Sequence, residues 1–100
     1  MAVYTSGDWH AKPGREKEFI DAWREFANWS GTEYDVGGWA KLLQDKEDPR
    51  HFRSVAEWAD AQVIERWRAS EAFKQRLAKI RELLDDVHIY TLDMAVEIQA

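Results

Sequence analysis

The stretch FRSVAEWADAQVIERWRASEAF, from Phe52 to Phe73, decides the fold, because a strand pattern in it gives way to helix patterns. Two phenylalanines and two tryptophans recur along it as F-x5-W-x8-W-x5-F. Together with the preceding His51, its first part (HFRSVAEW, 51–58) favours a strand that ends at Trp58. A helix should start near Asp60. The four aromatic residues are either ordinary core or the wall of a pocket.

A change of register divides the helical part of this stretch. Val63, Ile64 and Trp67 share one helical face, whereas Phe73 begins a second apolar stripe. The six residues from Trp67 to Phe73 add roughly 240° of rotation, so the two stripes cannot belong to one straight helix. Ser70 lies between them and can cap a new helix. We therefore expect a short helix, a bend near Ser70 and a longer helix that ends near residue 84.

The rest of the chain supplies the partners of this unit. A loop is expected in NWSGTEYDVGG (28–38), and DKEDPR is a polar turn that joins two strands into a hairpin. The other expected elements are a strand over Val3–His10, a helix over Pro13–Trp29, a strand in GWAKLLQ (38–44) and a last strand in VHIYTLDMAVEI (87–98). The order β-α-β-β-α-β predicts an α+β, ferredoxin-like fold in one domain over 1–100: a four-stranded antiparallel sheet with the helices on one face.

The last predicted strand alternates apolar and polar residues. Its apolar row consists of His88, Tyr90, Leu92, Met94, Val96 and Ile98. In a monomer this row would face solvent on the uncovered side of the sheet, which water-soluble proteins rarely accept over a large area. We therefore expect a homodimer in which the two sheets pack face to face.

Composition excludes several classes of function. The net charge of −5 provides no basic surplus for nucleic-acid phosphates, and the lack of cysteine excludes thiol chemistry. No segment has the apolar length of a membrane span or of a signal peptide, so a cytoplasmic protein without membrane contact is expected. Six tryptophans in 100 residues are hard to bury completely in so small a core, which indicates that some line a cavity or an interface.

Three segments, KPGREKEFIDAWREF, EDPRHFRSVAEWAD and ERWRASEAF, resemble the antibiotic biosynthesis monooxygenase group of dimeric α/β-barrel proteins. The resemblance covers nearly the whole chain. It implies a pocket between sheet and helices beside the bent second helical region. For the oxygenases of the group it also implies oxidation of electron-rich phenols by dioxygen, without flavin or metal.

The resemblance also separates two sub-families at single residues. Trp67 matches haem-degrading members, but Leu77 and Gly7 stand where those proteins carry an iron-binding histidine and an asparagine. Many quinol-type members carry a histidine at the position of Trp67. Haem degradation is therefore not expected, and a standard quinol oxygenase is also in question.

The pocket residues that we expect are Trp9, Trp23, Tyr34, Trp39, Trp67 and Phe73. The histidines share no metal-ligand spacing such as H-x-H, so we expect no metal and no cofactor. Asp8 and Asp93 are candidate bases if buried, but solvated strand positions are favoured for both, and the catalytic residue is left open. Two functions follow: a cofactor-independent monooxygenase that acts on a small aromatic or quinol-type metabolite, or a non-catalytic dimeric module that binds a small aromatic or apolar ligand.

Overall fold

The computed structural model describes residues 2–34 and 38–99. The elements are β1 (Val3–Ala11), α1 (Glu16–Glu33), β2 (Ala40–Gln44), β3 (His51–Trp58), α2 (Ala61–Ala69), α3 (Glu71–Arg81) and β4 (Leu84–Asp93). The four strands form one antiparallel sheet in the order β2-β3-β1-β4. The predicted ferredoxin-like fold, with the helices on one face of the sheet, is confirmed, and the second helical region consists of two helices.

The predicted bend at Ser70 is confirmed, and this residue closes one helix and opens the next. Its backbone is extended (φ −70°, ψ 146°), which no helical residue adopts. The Ser70 hydroxyl donates to the carbonyl oxygen of Trp67 (2.8 Å) and accepts from the backbone N–H of Phe73 (3.1 Å). One side chain therefore satisfies free backbone groups at both helix ends and fixes the corner at which Trp67 and Phe73 meet.

The limits predicted for the first helix need correction. α1 begins at Glu16 rather than at Pro13, because Gly14 adopts a left-handed backbone (φ 80°) that belongs to a turn. The helix also continues past Trp29 to Glu33, into the segment predicted as a loop. Within this extension Ser30 is buried, and its hydroxyl donates to the carbonyl oxygen of Phe26 (2.8 Å). Residues 35–37 of the predicted loop lie outside the described residues.

The last strand is shifted toward the amino end relative to the prediction. Leu84, expected at the end of a helix, is the first residue of β4 and pairs with Ala11. The strand ends at Asp93, which pairs with Val3, the first residue of β1. Residues 94–99 continue without strand pairing, and the apolar row extends into them.

The sheet has two chemically different faces. Thr5, Gly7 and Trp9 of β1 point to the helices and are buried, whereas the alternate residues point to the open face. The core lies between sheet and helices, with Phe19 and Phe52 fully enclosed. Within the described residues, no helix combines the length and apolarity that crossing a membrane requires.

Candidate functional site

A cavity of about 510 Å³ lies between the helix-covered face of the sheet and the helices. Its size is in the range of small-molecule sites. Most of its wall is aromatic or small and apolar. The lining includes Thr5, Gly7, Trp9, Trp23, Arg24, Phe26, Ala27, Ser30, Trp39, Ser54, Trp58, Trp67, Phe73 and Leu77.

Three tryptophans of this wall have their indole N–H groups fixed by hydroxyl groups. Trp9 donates to Ser54 Oγ, a residue of the neighbouring strand, at 2.9 Å. The two other bonds, Trp58 to Thr5 Oγ1 and Trp67 to Ser30 Oγ, are also 2.9 Å long. Because a buried indole N–H needs a partner, each hydroxyl sets the orientation of one ring. The polar edges of these rings are thereby occupied by the protein, and the apolar ring surfaces are left to form the wall.

Gly7 is part of the arrangement around Trp9. It lies opposite Ser54 in the strand pairing, and the Trp9 ring folds back over it to reach the serine hydroxyl. A Cβ atom on Gly7 would overlap indole atoms of Trp9. The indole of Trp9 therefore occupies the space above Gly7. Any side chain at position 7 would displace this wall of the cavity.

Trp67 occupies the centre of the aromatic wall, at the corner between α2 and α3. Its ring centroid lies 4.7 Å from that of Trp58, 4.6 Å from that of Phe73 and 5.7 Å from that of Phe26. These tilted and edge-on arrangements are favourable for aromatic pairs. Trp67 is thus a core residue and a cavity residue at once, and the bend at Ser70 brings Phe73 against it.

Five of the six residues predicted from the sequence line the cavity: Trp9, Trp23, Trp39, Trp67 and Phe73. Tyr34 is the exception. Its ring packs edge-on against Trp29, 5.9 Å between centroids. Tyr34 is therefore not part of the described lining. The Trp39 ring lies near Tyr4 (6.4 Å) and under the ammonium group of Lys41 (5.0 Å), so Trp39 forms the margin of the cavity.

Sequence reasoning missed the wall residues Phe26 and Trp58 and all three hydroxyl partners. Trp58, predicted only as the last residue of a strand, has its ring in the cavity wall beside Trp67. Strand alternation could have placed Ser54 on the face of Trp9, since Phe52 and Trp58 share its parity. Ser30 gave no signal, because a serine near a predicted helix end is ordinarily a cap.

The cavity offers little acid–base chemistry. Arg24 is the single titratable residue of the described lining, and its side chain is 63% exposed and paired with Asp21 (2.8 Å). The candidate bases lie elsewhere: Asp93 is exposed, and Asp8 points to the open face. A hydrogen bond from His51 lowers the pKa of Asp8, which makes this carboxylate a weaker base than an ordinary one. Among the described residues, therefore, no carboxylate or imidazole is placed to deprotonate a ligand in the cavity.

The residues of the cavity do not fit a haem. Leu77 stands where haem-degrading relatives place their histidine, and it presents an apolar, buried side chain to the cavity. Gly7, at the position of their asparagine, has no room for a side chain. Axial ligation of haem iron needs an imidazole, thiolate, thioether or phenolate donor, and the described lining contains none of these.

Two of the three histidines, separated by about forty positions in the sequence, meet on the open face. His10 and His51 are direct partners in the pairing of β1 and β3, and their rings stack at 4.4 Å with an interplanar angle of 4°. His51 is hydrogen-bonded to Asp8, and this bond raises the pKa of the imidazole against the opposing effect of burial. His88 of β4 lies opposite Asp8 in the strand pairing, and its ring contacts Asp86 at 3.2 Å.

Comparison with solved structures gives the same fold at low sequence identity. SnoaB, a cofactor-independent oxygenase from Streptomyces nogalater, superimposes with a TM-score of 0.84 at 16% identity, over 99% of this chain and 98% of its own. An antibiotic biosynthesis monooxygenase gives 0.76 at 21% identity (94% and 99% covered), and a protein from Pseudomonas aeruginosa gives 0.75 at 24% (95% and 95%). At these identities the likeness establishes the fold alone.

Among curated protein sequences, none matches the chain. A family model does: residues 3–79 match antibiotic biosynthesis monooxygenase. This segment extends from β1 through most of α3 and includes the bend at Ser70 and every tryptophan. The chain belongs to the antibiotic biosynthesis monooxygenase family.

Proposed function

We propose that the protein binds a flat aromatic or quinol-type metabolite in the tryptophan-lined cavity and oxidises it with dioxygen, without a cofactor. The observation that carries this proposal is the fixed set of Trp9, Trp58 and Trp67, whose ring surfaces wall a cavity of about 510 Å³. Such a wall favours a planar ligand and excludes water from it. Family membership and the fold shared with SnoaB support the choice of reaction.

The missing base constrains the substrate. With no carboxylate or imidazole in the described lining, the substrate must ionise by itself near neutral pH, as an acidic phenol or an anthrone-like enol does. The Arg24 guanidinium at the margin of the cavity favours an anion there, although exposure to solvent weakens this attraction. The ionised ring then gives electrons to dioxygen directly. In an anthrone the CH2 group becomes a carbonyl, one oxygen atom enters the product and the other leaves as water.

Oxygen uptake with a panel of hydroquinones and hydroxylated anthrones tests the proposal. We expect uptake above that of heat-killed protein for at least one compound. Ala27→Leu should reduce this uptake, because Ala27 lines the cavity and added bulk there restricts the ligand. Ala78→Leu, on the exposed side of α3, is the matched control and should have no effect. Uptake that both variants share with wild type would place the reaction outside the cavity and contradict the proposal.

The same missing base favours a second candidate, a non-catalytic module that binds a small aromatic or apolar ligand. In this case the three fixed indoles serve recognition alone. Saturable quenching of tryptophan emission by a compound, with no oxygen uptake above the heat-killed control, would support it. Turnover of any compound in the cavity would exclude it.

We further propose a homodimer that packs the two open faces together. Tyr90 and Leu92 of β4 are about half exposed on this face (47% and 46%), and the unpaired residues 94–99 continue the row with Met94, Val96 and Ile98. A partner sheet would remove this apolar surface from water. The cavity lies on the opposite side of the sheet, so each chain has its own.

A further inference from the structure

Three potential metal ligands converge on the open face of the sheet, away from the cavity. Asp8 and His10 are two positions apart on β1 and therefore point to the same side. His51 of β3 lies directly opposite His10. One carboxylate oxygen and two imidazole nitrogens from these residues lie within 4.8 Å of one another. The pattern D-x-H in GDWHA supplies two of these ligands, and the third, His51, comes from the neighbouring strand. Spacing between histidines along the sequence does not show this arrangement.

The distances suit a small cation. Asp8 Oδ1 contacts His51 Nε2, and it lies 4.0 Å from His10 Nε2. Bonds of about 2.0–2.2 Å to an ion such as Zn²⁺ hold ligand atoms roughly 3–4 Å apart, so small side-chain rotations bring all three atoms into range. Asp8 and His51 are mostly buried, at 24% and 19% exposure, which limits the freedom that ligand binding must remove. His10, at 36% in the single chain, is the most exposed of the three.

A second carboxylate orients His51 as metal-bound histidines are oriented. Nδ1 of His51 faces Asp45 Oδ2 at 3.4 Å, while Nε2 of the same ring faces the cluster. Asp45 is itself held by the backbone N–H groups of Glu47 (2.8 Å) and Asp48 (3.3 Å) in the turn between β2 and β3. A ligating imidazole almost always donates its other N–H to such an oxygen, which fixes the tautomer that presents Nε2 to the metal.

We propose that Asp8, His10 and His51 form a site for a divalent transition-metal ion, with Asp45 as the residue that positions His51. An ion pair alone explains the contact of Asp8 with His51. It gives no reason for His10, whose ring stacks parallel on His51: two protonated imidazoles would repel each other in this position, whereas two neutral ones can share a cation. Two imidazoles and one carboxylate suit Zn²⁺, Co²⁺ or Ni²⁺ rather than Ca²⁺ or Mg²⁺. The site is independent of the function proposed for the cavity.

Titration of the tag-free, metal-free full chain with Zn²⁺ by calorimetry, and with Co²⁺ by visible absorption, tests this site. We expect one ion per chain with a micromolar or lower Kd. His51→Asn and His10→Asn should each weaken binding at least about tenfold, and Asp45→Asn about tenfold through loss of orientation. His88→Asn is the matched control, because it removes the imidazole that lies opposite Asp8 in the strand pairing but outside the three-residue cluster, and it should leave the Kd unchanged. Circular dichroism confirms that each variant is folded.

Two results would overturn the proposal. One is no saturable binding of either ion by folded wild-type protein at millimolar concentration. The other is binding that His88→Asn weakens as much as His51→Asn does, which would show that the ion attaches to surface histidines without a formed site. A Kd that rises in His51→Asn, His10→Asn and Asp45→Asn but not in His88→Asn would support the proposed site.

Discussion

The two faces of the sheet are made by alternate residues of the same strands, yet they solve opposite problems. On the helix-covered face, Thr5 and Trp9 of β1 belong to a set of buried rings and hydroxyls that satisfy each other's polar groups. On the open face, Asp8 and His10 belong to a charged cluster that remains partly in water. On the covered face, neutral hydroxyl groups hold the three indole rings, and the partly buried cation near it in the described chain, Arg68, reaches Thr91 at the edge strand β4. On the open face, Asp8 and His51 shift each other's pKa values.

The difference teaches that neutral rings and hydroxyl groups form most of the cavity wall, whereas the Asp8–His51 pair lies on the other side of the sheet. An ion in the low-dielectric cavity would need a partner there, and the described lining supplies only the exposed Arg24. Ligand selection in the cavity therefore depends on shape and ring contacts. Properties that vary with pH or metal ions should instead belong to the open face.

Removal of the Trp67 ring, at the centre of the aromatic wall, should have the largest effect on the covered face. Trp67→Ala deletes a buried indole that contacts Trp58, Phe73 and Phe26, and we expect a loss of about 3–5 kcal/mol in the free energy of unfolding. Urea denaturation measures this loss. Trp67→Phe is the graded control: it keeps a ring but leaves Ser30 Oγ without its donor, at a cost of about 1–3 kcal/mol. If Trp67→Ala stays within 1 kcal/mol of wild type, the ring is not part of the core.

A charge placed on the open face should disrupt the proposed dimer. Leu92→Glu places a carboxylate in the apolar row of β4, where the proposed dimer would bury two copies of it. We expect the dimer dissociation constant to rise at least about a hundredfold, since opposed like charges in an interface cost several kcal/mol. Light scattering at micromolar concentration should then show the mass of one chain, against twice that mass for wild type. Ala78→Glu adds the same charge to the exposed side of α3 and should leave the dimer intact. A monomeric wild type would refute the proposed face-to-face packing.

A third test asks whether Gly7 is fixed by the ring next to it or merely by its strand. Gly7→Ala forces a methyl group into the indole of Trp9, and we expect a destabilisation of about 1–3 kcal/mol from overpacking. Gly31→Ala provides the contrast, because a Cβ atom there meets nothing within 4 Å and α1 gains helix propensity. That variant should be more stable than wild type by about 0.5–1 kcal/mol. Equal effects of the two substitutions in urea denaturation would show that Trp9 does not depend on position 7.

The sequence predicted the features that depend on local patterns and missed those that depend on contacts between distant residues. Alternation in HFRSVAEW and the register change at Ser70 were sufficient for the fold, because both are local patterns imposed by burial on one face. They also placed Trp9, Trp67 and Phe73 on the correct side. Local patterns could not give the hydroxyl partners, because Ser30 is selected by an indole that is distant in sequence and near in space.

The cluster on the open face was missed for a related reason. His10 and His51 are neighbours only through the register of β1 and β3, which depends on the whole sheet. A one-residue slip would turn one of them to the other face. Tyr34 failed in the opposite sense: it was assigned to the cavity from its place beside Trp39 in a predicted loop, but α1 continues to Glu33 and carries it toward Trp29.

The smallest expected effect is the pH dependence of the open face in the absence of metal. The hydrogen bond with His51 lowers the pKa of Asp8, so the stabilisation from its carboxylate is present above about pH 3.9 and is lost as the pH falls through the lowered value. The bond with Asp8 raises the pKa of His51, with further support from Asp45, so the stabilisation from its imidazolium is complete below about pH 6.5 and is lost as the pH rises through the raised value. The pair is therefore strongest between these limits. The other titratable or charged groups that face it are His10 and Arg53, Asp45 beside His51, and His88 of β4 opposite Asp8.

Comparison of wild type with His51→Asn by urea denaturation in EDTA measures this contribution. We expect the stability difference to be at most about 1 kcal/mol near pH 5.5 and to shrink toward pH 9, because solvent still reaches both side chains and screens the ion pair. His88→Asn should show no such trend, since no buried partner holds that imidazole. A difference that grows from pH 5.5 to pH 9 would contradict the charged pair, because it would mean that the folded protein favours the neutral form of His51.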